Sequence, residues 1–358
     1  MDKKTCIAVV GCGRIAVLEH FPAFSKISGL RVKYACDLIE QKAQAMLDKY
    51  PGLVENVITD YKAALADPEV EAVYVLTPNY SHYTVAMDAL RAGKHVFCEK
   101  PITVNFALSQ EMASMAESAG KLLNIGVCNR YNAAVEKLEQ MNRDGLFGNI
   151  YHVYCSFRSY RNIPGLGGAF TDKSQSGGGV LIDWGVHFFD LIFYILGGAK
   201  VSTVTCDAYS EMARDMKKYS YQFMWAEDTS NKESGVNDVE DFISGHIRTD
   251  KASVSFNGAW AQNINKEEMF IDFLGDKGGA RLKYGGNFTF YTSDSRGTLQ
   301  TVEPAINIPN QVEVEDRAFL AAIKTDEKTR SHIENILETA KLLDALYVSA
   351  DKKAEIKL

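Results

Sequence analysis

The sequence predicts a two-domain α/β protein, with a parallel sheet flanked by helices in the first part and a mostly antiparallel sheet in the second. The first third alternates short apolar runs with amphipathic segments, which is typical of a parallel sheet with crossover helices. Further along, strand-like runs follow one another without helices between them, which indicates antiparallel pairing. We therefore expect one domain over residues 1–128 and a second over residues 129–358, and 358 residues suffice for two hydrophobic cores.

In the first domain, apolar runs predict strands and amphipathic stretches predict helices. The predicted strands are residues 6–11, 31–37, 71–77, 95–99 and 122–128. The predicted helices are residues 38–50, 81–92 and 106–119. Pro22 is expected to break or kink the first helix early, because proline lacks the amide proton and clashes with the preceding turn.

The second domain begins with a predicted linking helix, 133–143, an alternating strand, 150–160, and a long apolar helix from about 179 to 196. Further strands are expected at residues 201–209, 239–248, 252–261, 269–275 and 287–291, with Gly278-Gly279 in a turn. Two helices, 314–323 and 333–350, close the chain. The polar segment 211–238 is either a flexible insertion or a lid over a site, and the sequence does not choose between them.

The overall composition is that of a soluble globular protein, with 46% hydrophobic and 24% charged residues. A net charge of -7 argues against a nucleic-acid partner or an anionic membrane partner, which would favour a basic surface. No apolar run approaches the roughly 20 residues that span a bilayer. The seven cysteines form no CxxC pair, so we expect buried thiols in a reducing compartment and a cytoplasmic protein.

Residues 11–16 read Gly-Cys-Gly-Arg-Ile-Ala, after a valine-rich strand and before a helix. In that context Gly11 permits a tight turn, Gly13 lets backbone amides approach a pyrophosphate, and Ala16 allows close helix–strand packing. The helix amino terminus attracts the negative charge. The motif therefore indicates a dinucleotide, although the same glycines could serve only a strand–helix turn.

Asp37 ends the second predicted strand, 24 residues after Gly13. A carboxylate at this place accepts hydrogen bonds from a ribose 2′-hydroxyl and repels a 2′-phosphate, so NAD is predicted rather than NADP. An aspartate that caps the following helix is the competing interpretation.

Two further strand ends carry polar groups: Thr77-Pro78-Asn79 with His82, and Glu99-Lys100-Pro101. The carboxyl ends of strands in an open parallel sheet form the crevice where ligands bind. Lys100 could equally be a solvated surface lysine.

Asp183 and His187 are spaced i,i+4 and share one face if the segment is helical. A carboxylate beside an imidazole can orient the ring and make it a general base near neutral pH. The surrounding sequence is strongly apolar, so a histidine that is buried for structural reasons is the alternative. A divalent metal held by this pair is a further alternative, but the spacing marks no third ligand, and no metal is predicted.

The ordered set of these motifs resembles the glucose–fructose oxidoreductase/inositol dehydrogenase/rhizopine-catabolism (Gfo/Idh/MocA) family over essentially the whole chain. The resemblance implies a Rossmann domain followed by an α/β domain with a large open, mostly antiparallel sheet. It also implies NAD(P) chemistry at a carbohydrate or cyclitol carbon, with Lys100 facing the substrate hydroxyl and Asp183 and His187 beside the nicotinamide. Because the open sheet often forms oligomer contacts in this family, a homo-oligomer (dimer, tetramer or higher) is expected.

The candidate site residues form three sets. The catalytic set has His187 as base, Asp183 as its orienter or a second substrate contact, and Lys100 as the group that stabilises alkoxide character; whether Lys100 or His187 takes the proton is left open. The cofactor-binding set is Gly11, Gly13, Arg14, Ile15, Asp37, Thr77, Asn79, His82, Glu99, Lys100 and Asn129. The substrate-binding set is Lys100, Arg161, Asp183, His187 and Tyr284.

The predicted function is an NAD-dependent dehydrogenase acting on a secondary hydroxyl of a sugar, glycoside or cyclitol. The resemblance favours the 3-position of a glucoside. One alternative is an NAD-dependent glycosidase that oxidises its substrate transiently to permit elimination. Another is a non-enzymatic sensor of sugar or NAD, against which the joint presence of Lys100, Asp183 and His187 argues.

Overall fold

The computed structural model describes residues 4–358. By its internal contacts the chain forms two compact units. The first unit runs to Cys128 and also takes in Asn310–Leu337, and the second comprises Asn129–Pro309 and Glu338–Leu358. The sequence-based division assigned residues 310–337 to the second domain. They group with the first because Phe319 lies in the same hydrophobic core as the first strand.

A parallel sheet forms the centre of the first unit. Its strands β1 to β6 cover Thr5–Val10, Leu30–Cys36, Val54–Ile58, Ala72–Val75, His95–Glu99 and Leu123–Gly126. The order is β3-β2-β1-β4-β5-β6, and every neighbouring pair is parallel. The doubly wound sheet is confirmed, and β1 is buried along its whole length, as helices on both faces require. The edge strand β3 was not predicted because its centre is polar and exposed.

The helices α1 to α10 cover Phe21–Phe24, Glu40–Lys49, Tyr61–Ala66, Asn79–Arg91, Phe106–Ala119, Ala133–Arg143, Lys173–Ser176, Val186–Ile195, Gln311–Thr325 and Leu337–Lys352. Pro22 lies in the first turn of α1 and does not end the helix there. A π-helical turn, Ala16–His20, comes directly before it. Such a widened turn lets a helix accommodate a residue that has no N–H to donate.

The second unit is built on a nine-stranded sheet. Its strands β7 to β15 cover Ile150–Arg158, Val201–Tyr209, Phe242–Thr249, Ser253–Ala259, Glu268–Gly275, Gly278–Lys283, Phe288–Ser293, Leu299–Val302 and Ile356–Lys357. The order is β14-β13-β12-β11-β7-β10-β9-β8-β15. Only the β7–β10 pair is parallel within the described sheet, so the mostly antiparallel sheet is confirmed.

The two faces of this sheet differ in burial. On β7, Val153, Cys155 and Phe157 point into a core shared with residues of α6 and α8, whereas Tyr154 between them is 50% exposed. The alternation of β7 thus separates a covered face from an open one. The Gly278-Gly279 pair was predicted as a turn, and this was wrong: it begins strand β12. A Cβ at residue 278 would come within 2.5 Å of the Phe290 ring, so glycine is needed for close packing.

The segment 211–238 is ordered by hydrogen bonds to the loop that follows β7. The Asn231 N–H donates to the carbonyl of Leu166 at 2.9 Å, and the Tyr221 hydroxyl accepts from the Leu166 N–H at 3.0 Å.

In the second unit, the helical stretch Lys173–Ile195 is long and apolar enough to cross a membrane, but 78% of its most apolar part is buried in the protein. Core helices meet the same length and composition criteria.

Candidate active site

The first unit places the glycine turn after β1, in contact with the end of β4. Gly11 has φ +99°, and a Cβ there would lie 2.5 Å from the carbonyl oxygen of Leu76. Its N–H donates to the carbonyl of Cys36 at 2.8 Å. The fold itself therefore requires glycine at position 11, whether or not a ligand binds.

Gly13 is different, since the protein makes no such demand on it. A Cβ there would meet no protein atom within 4 Å, and its φ lies outside the left-handed range. Its carbonyl accepts from the Val17 N–H at 3.0 Å, so the helix that contains Arg14 and Ile15 begins here. A side chain at residue 13 would enter open space at a helix amino terminus, where a pyrophosphate fits.

Asp37 is bonded directly to this turn. One carboxylate oxygen accepts from the Cys12 N–H and the other from the Ile39 N–H, both at 2.9 Å. The helix-capping interpretation is not supported, because α2 begins at Glu40 and its cap residue is Ile39. The half-buried carboxylate lies beside the glycine turn, and its contact with a ribose stays a prediction.

The loop after β4 contains Thr77 and leads into α4, which begins at Asn79. His82 on α4 is buried, and its Nδ1 and Nε2 each lie 2.8 Å from a backbone carbonyl, of Pro101 and Thr77 respectively. Burial lowers the pKa of His82. The His82 ring therefore links the loop after β4 to the loop after β5. Direct contact of His82 with the cofactor stays a prediction.

Glu99 at the end of β5 belongs to a buried network that sequence analysis missed. One carboxylate oxygen lies 3.1 Å from Nε2 of His20, and the other accepts from the Lys100 N–H at 3.1 Å. On its other side, Nδ1 of His20 lies 3.2 Å from both carboxylate oxygens of Asp316. The network thus connects the peptide of Lys100 to the helix that follows the glycine turn and to α9.

The charges of this network follow from its neighbours. Burial alone would lower the pKa of His20, but the Asp316 and Glu99 carboxylates outweigh it and raise the pKa to about 10. Next to Asp316, the buried Glu315 accepts from the Val127 N–H at 3.0 Å, and burial raises its pKa well above the usual range. His20 is therefore an imidazolium at neutral pH, between two carboxylates.

In the second unit, the start of the helix that carries Asp183 and His187 packs closely against the backbone of Glu240. A Cβ on Gly179 would lie 1.9 Å from the carbonyl oxygen of Glu240. The buried Glu240 carboxylate accepts from the N–H groups of Gly179 and Leu181 at 2.9 and 3.0 Å. It satisfies donors that the first turn of a helix leaves open.

Asp183 and His187 lie on one partly exposed face of a helix that is otherwise buried. Asp183 is in a π-helical turn, Leu181–Gly185, and His187 follows in α8. From residue 180 to 193, only Asp183, Trp184 and His187 are partly exposed, and the rest are buried. This pattern disfavours the interpretation of His187 as a core histidine, because the polar side chains are the ones that reach the surface.

Each member of the motif is held by a residue distant in sequence. The indole N–H of the buried Trp260 donates to Asp183 Oδ2 at 3.2 Å. The amide nitrogen of Asn129 lies 3.3 Å from Nδ1 of His187 and donates to the Tyr284 hydroxyl at 3.0 Å. The structure therefore brings together four of the predicted site residues and adds Trp260, which sequence analysis missed.

The segment that carries Asn129 is clamped to α8 by an ion pair. Arg130 donates from Nε and Nη2 to the two carboxylate oxygens of Asp190, at 2.8 and 2.7 Å, and both side chains are buried. The Arg130 guanidinium also lies over the Tyr194 ring at 5.0 Å. A bidentate pair of this kind fixes direction as well as distance.

Arg161 does not join this group. Its guanidinium donates to the carbonyls of Tyr160 and Gln262 and to the side chain of Asn263, and it stacks on the Tyr160 ring. It lines a cavity of about 400 Å³ with residues of the 211–220 segment, and Asp183 and His187 are not among the lining residues. Its role as a substrate contact stays a prediction. Among residues 4–358, no cluster of three or more metal-ligating side chains is found.

Comparison with known proteins assigns both units. Residues 6–127 match the oxidoreductase family with an NAD-binding Rossmann fold, and residues 135–281 match the GFO/IDH/MocA C-terminal domain. The chain belongs to the GFO/IDH/MocA family. It is an NAD-binding oxidoreductase, and the predicted family, cofactor and enzyme class are confirmed.

Two relatives and one solved structure indicate the range of similarity within this family. The chain is 29% identical to a D-glucoside 3-dehydrogenase of Escherichia coli K12 over 356 residues, 98% of this chain and 97% of the relative. It is 31% identical to a putative UDP-kanosamine synthase oxidoreductase subunit of Amycolatopsis mediterranei, over 77% of this chain and 74% of the relative. An aldose-aldose oxidoreductase from Caulobacter crescentus has the same fold, with a TM-score of 0.81, 22% identity, and coverage of 99% of this chain and 100% of that one.

Proposed function

We propose that this enzyme oxidises the 3-hydroxyl of a D-glucoside with NAD. The observation that carries the proposal is the Asp183–His187 face, which is partly exposed on an otherwise buried helix. The substrate class is supported by the full-length similarity to a D-glucoside 3-dehydrogenase. The broader substrate class is that of sugars and cyclitols oxidised at a secondary hydroxyl.

The residues of the first unit fit the cofactor. The amino end of the helix at Gly13 would hold the pyrophosphate, and Asp37 would accept from the ribose hydroxyls. When bound, NAD accepts the hydride that leaves the substrate carbon.

The remaining chemistry is the loss of the hydroxyl proton. Lys100 stabilises the alkoxide that forms as the proton leaves, and its backbone is held by Glu99. Asp183, fixed by Trp260, orients the substrate hydroxyl or the imidazole, while His187 exchanges a hydrogen bond or a proton with the substrate oxygen. Lys100 and His187 are the two candidates for the proton acceptor.

Isotope transfer tests the proposal directly. Methyl β-D-glucoside deuterated at C3 is expected to yield deuterated NADH, whereas the same glucoside deuterated at C2 or C4 yields unlabelled NADH. His187→Gln is expected to lower kcat while the Kd for NAD, measured by calorimetry, is unchanged. Absence of hydride transfer from any glucoside, or release of free methanol without NADH, would contradict the proposal; the second result would indicate a glycosidase.

We also propose that copies of the chain associate through the open face of the nine-stranded sheet. Half-exposed Tyr154 lies there against His152, at 4.5 Å between ring centroids, and His152 stacks on His246 at 6.2 Å. A partly exposed aromatic cluster of this kind favours a protein interface. Tyr154→Lys is expected to lower the mass measured by light scattering. An unchanged mass, or a wild-type monomer, would contradict this assignment.

We further propose a cytoplasmic location, which the seven free cysteines support.

A further inference from the structure

We infer that Asn129 is a positioning residue that sets the tautomer of His187. Its side-chain amide donates to Nδ1 of the imidazole, so the single proton of the neutral ring lies on Nε2. Asn129 is also a predicted cofactor residue, and that role stays a prediction; in the structure it contacts the proposed catalytic histidine. The inference deepens the proposed function, on which only its last step rests.

The geometry around the amide supports this direction of donation. The Nδ2 atom of Asn129 lies 3.3 Å from Nδ1 of His187 and 3.0 Å from the Tyr284 hydroxyl oxygen. An amide nitrogen carries two hydrogens and accepts none, so each of its hydrogens has one of these two acceptors. Nδ1 then accepts, and in a neutral imidazole the other nitrogen carries the proton.

Packing fixes the amide in this place. Asn129 is 7% exposed, so water cannot readily replace either partner. Its neighbour Arg130 is bound in bidentate fashion to Asp190, one helical turn after His187 on the same helix. On the other side, the Tyr284 ring stacks on Phe188 at 4.5 Å between centroids. Both partners of the amide are therefore held by the helix that carries His187.

The consequence concerns the direction of proton transfer. With Nδ1 engaged by Asn129, a neutral His187 presents Nε2–H as a donor. It can hold the oxygen of the substrate through a hydrogen bond, but that nitrogen cannot take the hydroxyl proton. If the proposed dehydrogenation is correct, the proton acceptor is then another group, and His187 stabilises the oxygen as the proton leaves it.

The opposite orientation of the amide is the arrangement that a test must distinguish. Oδ1 would then accept from both Nδ1–H and the Tyr284 hydroxyl, and Nε2 would keep a lone pair and serve as a base. The two arrangements differ in which imidazole nitrogen is protonated. ¹⁵N NMR of the enzyme without substrate measures this difference.

The experiment uses the full-length protein labelled with ¹⁵N, and the His187 signals are identified by their loss in His187→Gln. We expect Nε2 to be the protonated nitrogen at neutral ring charge, with a through-hydrogen-bond coupling between His187 Nδ1 and the Asn129 amide. Asn129→Asp, which can only accept, is expected to move the proton to Nδ1. Asn142→Asp is the matched control, because the Asn142 amide donates to the Ile195 carbonyl and does not contact His187.

A wild-type ring protonated on Nδ1, or an Asn129→Asp ring unchanged from wild type, would overturn the inference. If Asn129→Asp does not fold, the wild-type protein decides: protonation on Nε2 together with the nitrogen–nitrogen coupling supports the inference, and protonation on Nδ1 without that coupling overturns it. The readout needs no turnover. A failure of the isotope-transfer experiment would therefore refute the proposed reaction and leave the tautomer result standing, and the reverse also holds.

Discussion

The two glycines of the dinucleotide turn make a matched pair for a test, because the structure gives them opposite reasons for being glycine. Gly11 is required by the protein, since its φ is +99° and a Cβ would meet the Leu76 carbonyl at 2.5 Å. A Cβ on Gly13 would meet nothing within 4 Å, so packing within the protein does not require glycine there. Alanine at either position adds the same single carbon atom to the same turn.

The expected magnitudes differ in kind. For Gly11→Ala, the unfavourable conformation costs about 1–2 kcal/mol and overpacking about 1–3 kcal/mol, so we expect a loss of about 2–5 kcal/mol of stability. For Gly13→Ala, the stability cost is that of alanine at a helix start, under about 1 kcal/mol. Its effect falls on NAD, where one lost charge-assisted hydrogen bond of about 1.5–3 kcal/mol weakens binding roughly 10- to 100-fold.

Urea unfolding without cofactor measures the first quantity, and calorimetric titration with NAD measures the second. Gly13→Ala should unfold close to the wild-type midpoint and bind NAD weakly, and Gly11→Ala should unfold at clearly lower urea. The reasoning is refuted if Gly13→Ala binds NAD as tightly as wild type. It is refuted equally if the two variants lose the same stability, because the two backbone environments would then be equivalent.

Three further predictions concern other parts of the site. Asp37→Ser should lower the NAD/NADP affinity ratio by at least about tenfold, since it removes an acceptor for the ribose hydroxyl and a charge that repels a 2′-phosphate; an unchanged ratio in paired titrations would contradict this. Because the pKa of His20 is raised to about 10, protonated His20 contributes fully to the stability of the folded protein below about pH 6.5. This contribution, at most about 5 kcal/mol, is lost as pH rises towards 10. Asp316→Asn should flatten that decline in urea unfolding, and a wild-type slope would show that the ion pair is not its source. Trp260→Phe should lower kcat roughly tenfold at unchanged NAD affinity, because Asp183 loses its indole donor; an unaltered kcat would show that the bond does not orient the carboxylate.

Local sequence patterns were sufficient to predict those features whose functional residues are close together in the sequence. The strand–glycine–helix order around Gly11 and Gly13 predicted both the turn and the cofactor, since a pyrophosphate needs those backbone features in adjacent residues. The i,i+4 spacing of Asp183 and His187 likewise predicted their common face. By contrast, Gly278-Gly279 was read as a turn because glycine pairs usually are, whereas close approach of the Phe290 ring places them in a strand.

The sequence by itself determined the fold class, the cofactor and the identity of the chemical groups, because each depends on residues that are neighbours or follow a short repeat. The tertiary structure decided what each group contacts. His20 and Asp316 lie 296 residues apart, and Asp183 and Trp260 lie 77 residues apart, so no local sequence pattern predicts either contact. The same holds for Asn129, 58 residues from His187. Hydrogen bonds act only at contact distance, and folding alone brings such residues together.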